Sequence, residues 1–192
     1  MESISYIIEQ VVDFMVSFGP VGGFILVILE SILPPLPLGV IVVLNMLSFG
    51  KLFGFIMSYI ATIIGCMGSF MLFRYFFKDK FVHKFKKENQ EKIKKWKKRL
   101  TNIDFNALTV IIALPATPAF LLNIAAGLSD ISFRKYFVAS LIGKPIMLAF
   151  YAYIGIEFVD SLKDPMNFLK IIGLLLIAYI ISKIIEKIVK VE

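Results

Sequence analysis

Two charged residues stand inside apolar stretches of this sequence. Glu30 follows the run GGFILVIL, and Lys144 lies at the centre of an apolar segment that runs from Phe133 to Phe158. A charge in a membrane-spanning helix costs about 2.5–3.5 kcal/mol, so each residue is a functional candidate. We expect Lys144 either to pair with Glu30 or to meet a phosphate group. The alternatives are a Glu30 that only braces the chain and a Lys144 that extends to the membrane interface.

Proline-rich breaks interrupt two further apolar stretches, and polar residues lie beside them. The first break is residues 33–37 (LPPLP) and the second is residues 114–118 (LPATP). Proline removes a backbone donor and restricts the residue before it, so neither stretch continues as one helix. Nearby amides and a hydroxyl either line a polar path or satisfy the freed backbone groups. The candidate substrate-binding residues are therefore Glu30, Pro34, Pro37, Asn45, Pro115, Thr117, Pro118, Asn123 and Lys144.

The residue inventory argues against catalysis. His83 is the single histidine and Cys66 the single cysteine, so the chain can form neither a histidine–cysteine metal cluster nor an internal disulfide. No Ser-His-Asp arrangement or glycine-rich phosphate loop is evident. We expect no catalytic residue, no metal and no cofactor, and we expect that the protein is not an enzyme.

The composition is that of a membrane protein. Hydrophobic residues make up 58% of the 192-residue chain and charged residues 18%. Soluble domains average about 45–50% apolar and about 25% charged residues. A soluble core could not bury this excess, so lipid must cover part of it.

The apolar segments differ in length, and this predicts how each one sits in the membrane. The arms that flank each break have about half of the roughly 20 residues needed to cross a bilayer, which is typical of re-entrant hairpins. We expect a single membrane domain over residues 1–192. Its predicted parts are an interfacial amphipathic helix (1–18), a re-entrant hairpin (20–50), a span (52–77), a basic segment (78–101), a second hairpin (104–128) and two spans (133–158 and 166–185).

The two breaks are related by an internal repeat. Leu33-Pro34-x-x-Pro37 and Leu114-Pro115-x-x-Pro118 lie 81 residues apart, and the same offset relates Leu47-Ser48 to Leu128-Ser129. Because one span separates the two hairpins, they must enter from opposite faces. The predicted fold is an all-α membrane protein with an inverted repeat of hairpin plus span and an additional C-terminal span. Transporters with inverted repeats hold their substrates between broken helices.

The positive charge is concentrated in one segment. The whole chain carries +7, and residues 78–99 alone carry +8 from eleven basic and three acidic residues. The positive-inside rule places residues 78–101 and the C-terminus in the cytoplasm. The segment could lie on anionic lipid headgroups or be a solvated loop. We do not expect nucleic-acid binding, since no nucleic-acid-binding motif accompanies the charge.

Both breaks resemble signatures of a known family. The stretch from Phe18-Gly19-Pro20 through Glu30-Ser31 to Pro34-Pro35-Leu36-Pro37 resembles the first signature of the DedA/VTT superfamily, the SNARE-associated Golgi protein group. The second signature of the family is similar to a later set of residues, Leu114-Pro115-x-x-Pro118, Asn123, Ala126-Gly127-Leu128 and Phe133. The resemblance covers residues 18–156. It implies two facing re-entrant loops and translocation of phospholipids or of a polyprenyl-phosphate carrier, with dependence on the proton-motive force in bacterial members.

Two positions depart from that family's pattern. Relatives usually carry an arginine just ahead of the second break, where this chain has Ile111 to Leu114. Bacterial relatives place an acidic residue after the first break, where this chain has Leu38 to Val42. These are the family's usual candidates for phosphate contact and proton coupling.

The favoured function is therefore a flippase or scramblase of a bacterial-type plasma membrane, moving a phospholipid or polyprenyl-phosphate lipid through a polar site between the hairpins. The resemblance supplies the substrate class. One alternative is a scaffold or assembly protein that recruits partners through the basic segment, and another is an ion-coupled transporter of small solutes. A homo-oligomer is compatible with each of these functions.

Overall fold

The protein is almost entirely helical in the residues that its structure, a computed structural model, describes. These are residues 2–32, 38–77, 86–115 and 119–161, with Gly173, Leu176, Ile177 and Ile180. The helices are α1 (Glu2–Glu30), α2 (Leu38–Phe49), α3 (Lys51–Met71), α4 (Lys87–Thr101), α5 (Phe105–Ala113), α6 (Ala119–Leu128) and α7 (Phe133–Ser161), and a π-helical segment (Leu72–Phe77) continues α3.

Three of these stretches have the length and composition needed to cross a membrane. They are Ile8–Glu30, Lys51–Phe77 and Phe133–Val159. The prediction of an all-α chain with membrane-spanning helices is confirmed at this level. The predicted span at 166–185 lies outside the described residues apart from four isolated positions, and so does the first part of the basic segment, residues 78–85.

α1 is kinked where Gly19 precedes Pro20. Gly19 has φ 67° and ψ 178°, a backbone conformation that glycine adopts without steric cost. Pro20 then starts a second helical stretch, in which its missing N–H is tolerated. On the N-terminal side of the kink, Phe14 and Phe18 are exposed. The interfacial position predicted for residues 1–18 stays a prediction.

The other helices beside the breaks are short. α2 has 12 residues, α5 has 9 and α6 has 10, each well below the roughly 20 residues of a full crossing. Asp104 caps α5 by accepting a hydrogen bond from the N–H of Asn106 at 2.8 Å, and this bond lowers the pKa of the Asp104 carboxyl. α5 ends at Ala113, and the next residue, Leu114, has a ψ of 123°, the extended conformation imposed by the following proline.

α3 and α7 contact each other, and the other helices of the two halves pack against them. α1 and α2 pack on α3, and α5 packs on α7. The packing also crosses between the halves of the chain, because α2 contacts α7 and α6 contacts α3. One cluster of buried residues joins α3, α5, α6 and α7, and a second joins α1, α2, α3 and α7.

Glycines on α3 and α7 let the neighbouring helices α1 and α5 approach closely. A Cβ on Gly65 of α3 would lie 2.6 Å from Ser31 Oγ and 3.1 Å from Ile28 Cα. A Cβ on Gly143 of α7 would lie 2.8 Å from the carbonyl oxygen of Thr109 in α5. Small residues serve this purpose in membrane helix pairs, where van der Waals packing drives association.

Candidate functional site

The two charges predicted from the sequence lie in one buried region. Glu30 is the last residue of α1 and is 7% exposed, while Lys144 of α7 is 1% exposed. Lys144 is close enough for its charge to act on the Glu30 carboxyl, yet these two residues form no ion pair within 4.0 Å. The direct pairing suggested by the sequence is therefore absent from this structure, and a phosphate at Lys144 stays a prediction.

Glu30 leaves hydrogen-bonding capacity unused. Its Oε2 atom is buried and has no hydrogen-bond partner among the described residues. A buried polar atom without a partner costs about 1–3 kcal/mol, and more when it is charged. Such a cost is common at sites where a ligand or an ion completes the bonding.

Tyr151 joins this region to the second break. Its hydroxyl donates to the carbonyl oxygen of Pro115 at 2.7 Å, and its ring is near enough to Glu30 for the two groups to interact electrostatically. Tyr151 follows Lys144 by seven residues, two helical turns, so both lie on the same side of α7. Tyr151 was not among the residues predicted from the sequence, although its seven-residue spacing from Lys144 is a signal that could have identified it.

Asn123 of α6 links the two breaks directly. Its amide nitrogen donates to the carbonyl oxygen of Ser31 at 3.3 Å, and its amide oxygen accepts from the Tyr136 hydroxyl at 2.6 Å. Asn123 and Tyr136 are fully buried, and the Tyr136 ring stacks on Phe70 with 5.1 Å between centroids. Asn123 therefore holds α6 against the residue next to Glu30.

Asn45, in contrast, forms its hydrogen bonds outside the region of Glu30 and Lys144. Its amide nitrogen donates to Ser58 Oγ at 3.0 Å and to the carbonyl oxygen of Gly23 at 3.5 Å. Gly23 lies about two helical turns before Glu30, toward the kink in α1. These contacts attach α2 to α1 and α3, so Asn45 is not brought together with Glu30 and Lys144.

Of the nine predicted site residues, the structure thus brings together Glu30, Lys144, Pro115 and Asn123. The positions of Pro34, Pro37, Thr117 and Pro118 lie outside the described residues, and their roles stay predictions. Within the described ranges, no group of three or more His, Cys, Asp or Glu side chains could hold a metal ion.

An apolar groove runs between α2 and α7 and has Tyr151 in its wall. Its volume is about 570 Å³. Apart from Tyr151, every residue in its lining is aliphatic, glycine or phenylalanine. The lining comprises Ile8, Leu38, Gly39, Val40, Val43, Leu44 and Leu47 on one side and Tyr151, Ile154, Gly155, Phe158 and Val159 on the other. Such a lining suits a hydrocarbon chain.

Arg74 fixes the far end of α6. Its guanidinium donates to the carbonyl oxygens of Gly127 at 3.1 Å, Ile131 at 2.8 Å and Ala126 at 3.2 Å, and also to that of Ser129. It also lies 4.3 Å from the centroid of the Phe70 ring. Its donors therefore hold carbonyls of the last turn of α6 and of the residues just after it.

Comparison with known proteins gives one family and two relatives. The sequence model of the VTT domain matches residues 36–157. The uncharacterized membrane protein YhjE of Bacillus subtilis (strain 168) is 28% identical over 172 residues, which are 89% of this chain and 82% of YhjE. The uncharacterized protein YqeD of the same organism is 26% identical over 144 residues, 75% of this chain and 68% of YqeD. No solved structure matches the chain with comparable significance.

Proposed function

We propose, since this chain belongs to the VTT-domain family of membrane proteins, that it moves a phospholipid or polyprenyl-phosphate lipid between the leaflets of the membrane. The observation that carries the proposal is the buried Glu30 and Lys144 beside an apolar groove. An ammonium group suits a phosphate, and a groove of this lining suits an acyl or prenyl chain. A phospholipid or polyprenyl phosphate contains both the phosphate and the hydrocarbon chain.

The helix packing supports an inverted repeat of two re-entrant hairpins. We assign α2 and the part of α1 after Gly19 to one hairpin, and α5 and α6 to the other. The contacts are reciprocal, since α2 packs on α7 and α6 packs on α3. Both α2 and α6 carry a buried asparagine bonded to a residue 13 positions later, Asn45 to Ser58 and Asn123 to Tyr136.

The headgroup, in this proposal, binds where the two hairpins meet. Lys144 supplies the cation that relatives take from an arginine ahead of the second break. A phosphate beside Lys144 would pair with its ammonium, which forms no ion pair with Glu30 in this structure. The groove between α2 and α7 then holds the chain of the lipid while its headgroup crosses.

Charge supports one orientation in a bacterial-type plasma membrane. α4 carries seven basic and two acidic residues. Lys135 lies at the same end of the molecule, because its ammonium donates to the carbonyl oxygen of Ile103 just after α4. The positive-inside rule assigns this end to the cytoplasm and the Lys51 end of α3 to the other side.

The test is translocation of fluorescent lipids in proteoliposomes. Lys144→Met and Glu30→Gln are expected to slow translocation by roughly tenfold or more, the loss that removing one charged hydrogen bond brings. Lys51→Met and Glu9→Gln make the same chemical changes at exposed positions and should leave the rate unchanged. Lys144→Arg keeps the charge and should retain part of the activity.

Anionic, zwitterionic and polyprenyl-phosphate lipids are compared to identify the substrate. A folded wild-type protein that moves none of them faster than empty vesicles do would overturn the proposal. Such a result would favour a scaffold that recruits partners through the basic α4 or an ion-coupled transporter of small solutes. Solute-dependent proton uptake that Glu30→Gln abolishes would separate these two.

A further inference from the structure

α4 presents a row of lysines on the face opposite its buried side. Ile93 and Leu100 of this helix are each 1% exposed. Lys87, Lys94 and Lys98 are exposed; they lie at positions i, i+7 and i+11 and therefore point in one direction. We call these three residues the lysine face. Glu91 also lies on this side, and exposed Lys95 adds a further positive charge beside it.

α4 is fixed to α6 and cannot be treated as a free loop. Ile93 packs with Leu121 and Ile124 of α6 and with Phe73 of the π-helical segment. The sequence predicted a basic segment here without a helix. The helix forms because Ile93, Trp96 and Leu100 recur at three- and four-residue spacing, which gives a lysine-rich stretch one apolar side.

The contacts of α4 keep this helix close to the end of a membrane span. Its Ile93 packs against Phe73, in the last turns of the span that ends at Phe77, and apolar α5 begins at Phe105, four residues after α4 ends. Within α4, Lys92 pairs with Glu88 at 2.5 Å. The lysine face is outside that pair.

We propose that the lysine face of α4 binds the headgroups of anionic lipids at the membrane surface. Charge complementarity and the nearby span ends favour a lipid surface over an acidic protein. Because α4 packs on α6, headgroup binding also holds α6 in place, and anionic lipid thereby regulates transport. The binding itself is independent of any transported substrate; its effect on transport rests on the proposed function.

Trp96 reports on the lipid that surrounds α4. It is the single tryptophan of the chain, it is half-buried on α4, and Arg99 lies 5.4 Å from the centroid of its ring. The protein is reconstituted with phosphatidylglycerol or phosphatidylcholine brominated near the glycerol backbone, at equal mole fractions. We expect the brominated anionic lipid to quench Trp96 more strongly, and this preference to weaken as salt screens the charges.

The triple variant Lys87→Gln/Lys94→Gln/Lys98→Gln tests the assignment of the site. Each lysine removed should lower the preference by up to about fivefold, the factor that corresponds to about 1 kcal/mol per basic residue near an anionic surface. Lys51→Gln removes one charge at the other end of α3 and should leave the preference unchanged. The Trp96 spectrum and the melting temperature in zwitterionic lipid confirm that each variant is folded.

Equal quenching by the two lipids at low salt, or a preference that survives in the triple variant, would overturn the proposal. Either result would mean that the lysine face binds an acidic protein or that lipid headgroups bind at another site. A second measurement follows transport of a zwitterionic reporter lipid as the anionic fraction rises. Selective quenching without transport of any lipid would refute the proposed function while leaving the headgroup site intact.

Discussion

Arg74 forms hydrogen bonds with several main-chain carbonyls at once. Its donors bond to four carbonyl oxygens between Ala126 and Ile131. Those of Ala126 and Gly127 belong to the last turn of α6, where carbonyls have no partner within the helix. The planar guanidinium can reach several acceptors at once because its donors diverge in a fixed fork. Water would otherwise have to reach these carbonyls at the end of α6.

Arg74→Lys keeps the charge but loses this geometry. An ammonium has three donors and cannot reproduce the fork, so we expect at least about 2 kcal/mol of destabilisation. For a chain of this size, that corresponds to a fall of about 4–8 °C in the melting temperature, measured by thermal unfolding in detergent. Arg134→Lys, at an exposed position, is the control and should melt like the wild type. Equal melting of both variants would show that the four bonds contribute little.

At the residue scale, the sequence predicted charges better than it predicted their partners. Glu30 and Lys144 were found because a charge is conspicuous among apolar neighbours. The acceptors of Arg74 lie 52 to 57 residues away and are main-chain carbonyls, which every residue possesses. No residue type marks such a partner, so the role of Arg74 required the fold.

At the scale of elements, glycine positions decide how closely neighbouring helices approach each other. Gly65 of α3 faces α1, whereas Gly68, one turn further on, has no atom within 4 Å of the place where its Cβ would be. The two glycines share a helix and differ in what they face. They therefore form a matched pair for testing close packing.

Gly65→Ala should lower stability, because the added methyl would collide with Ser31 and Ile28 of α1. Overpacking of this kind costs about 1–3 kcal/mol, which corresponds to a lower melting temperature by about 2–12 °C. Gly68→Ala should leave the melting temperature unchanged or raise it, since alanine favours a helix more than glycine does. Similar destabilisation by both changes would mean that loss of glycine itself, and not the α1 contact, is responsible.

The sequence predicted most breaks between elements because proline and glycine act locally. The kink at Gly19 and the end of α5 at Ala113 follow from backbone rules that need no tertiary contact. The docking of α4 on α6 was not predictable in this way. It depends on Ile93, Trp96 and Leu100 finding an apolar surface on a helix that comes later in the chain.

The whole molecule is asymmetric in charge from one membrane face to the other. The span Lys51–Phe77 has 27 residues, about 40 Å as a helix, which exceeds the roughly 30 Å of a hydrocarbon core. This length is enough for its two ends to reach opposite sides of the membrane. α4 follows one end and Lys51 marks the other.

Single cysteines at Lys51 and Lys94 test this orientation. We expect a membrane-impermeant maleimide to label Lys51→Cys in intact cells and Lys94→Cys only in inverted or opened membranes. The unaltered chain is the control, because Cys66 is 1% exposed and should remain unlabelled. Labelling of both cysteines from the same side would contradict the predicted topology.

The packing of α2 on α7 joins parts of the chain that leave the ribosome at different times. The two helices begin about 95 residues apart, so at about 5–20 residues per second α2 is made about 5–20 s before α7. During that interval, Val43 lacks the surface of Gly155 and Glu30 lacks Lys144. We expect the nascent chain to be most vulnerable to proteolysis in this interval. Pausing translation between α3 and α7 should then lower the yield of folded protein without altering any contact in the finished molecule.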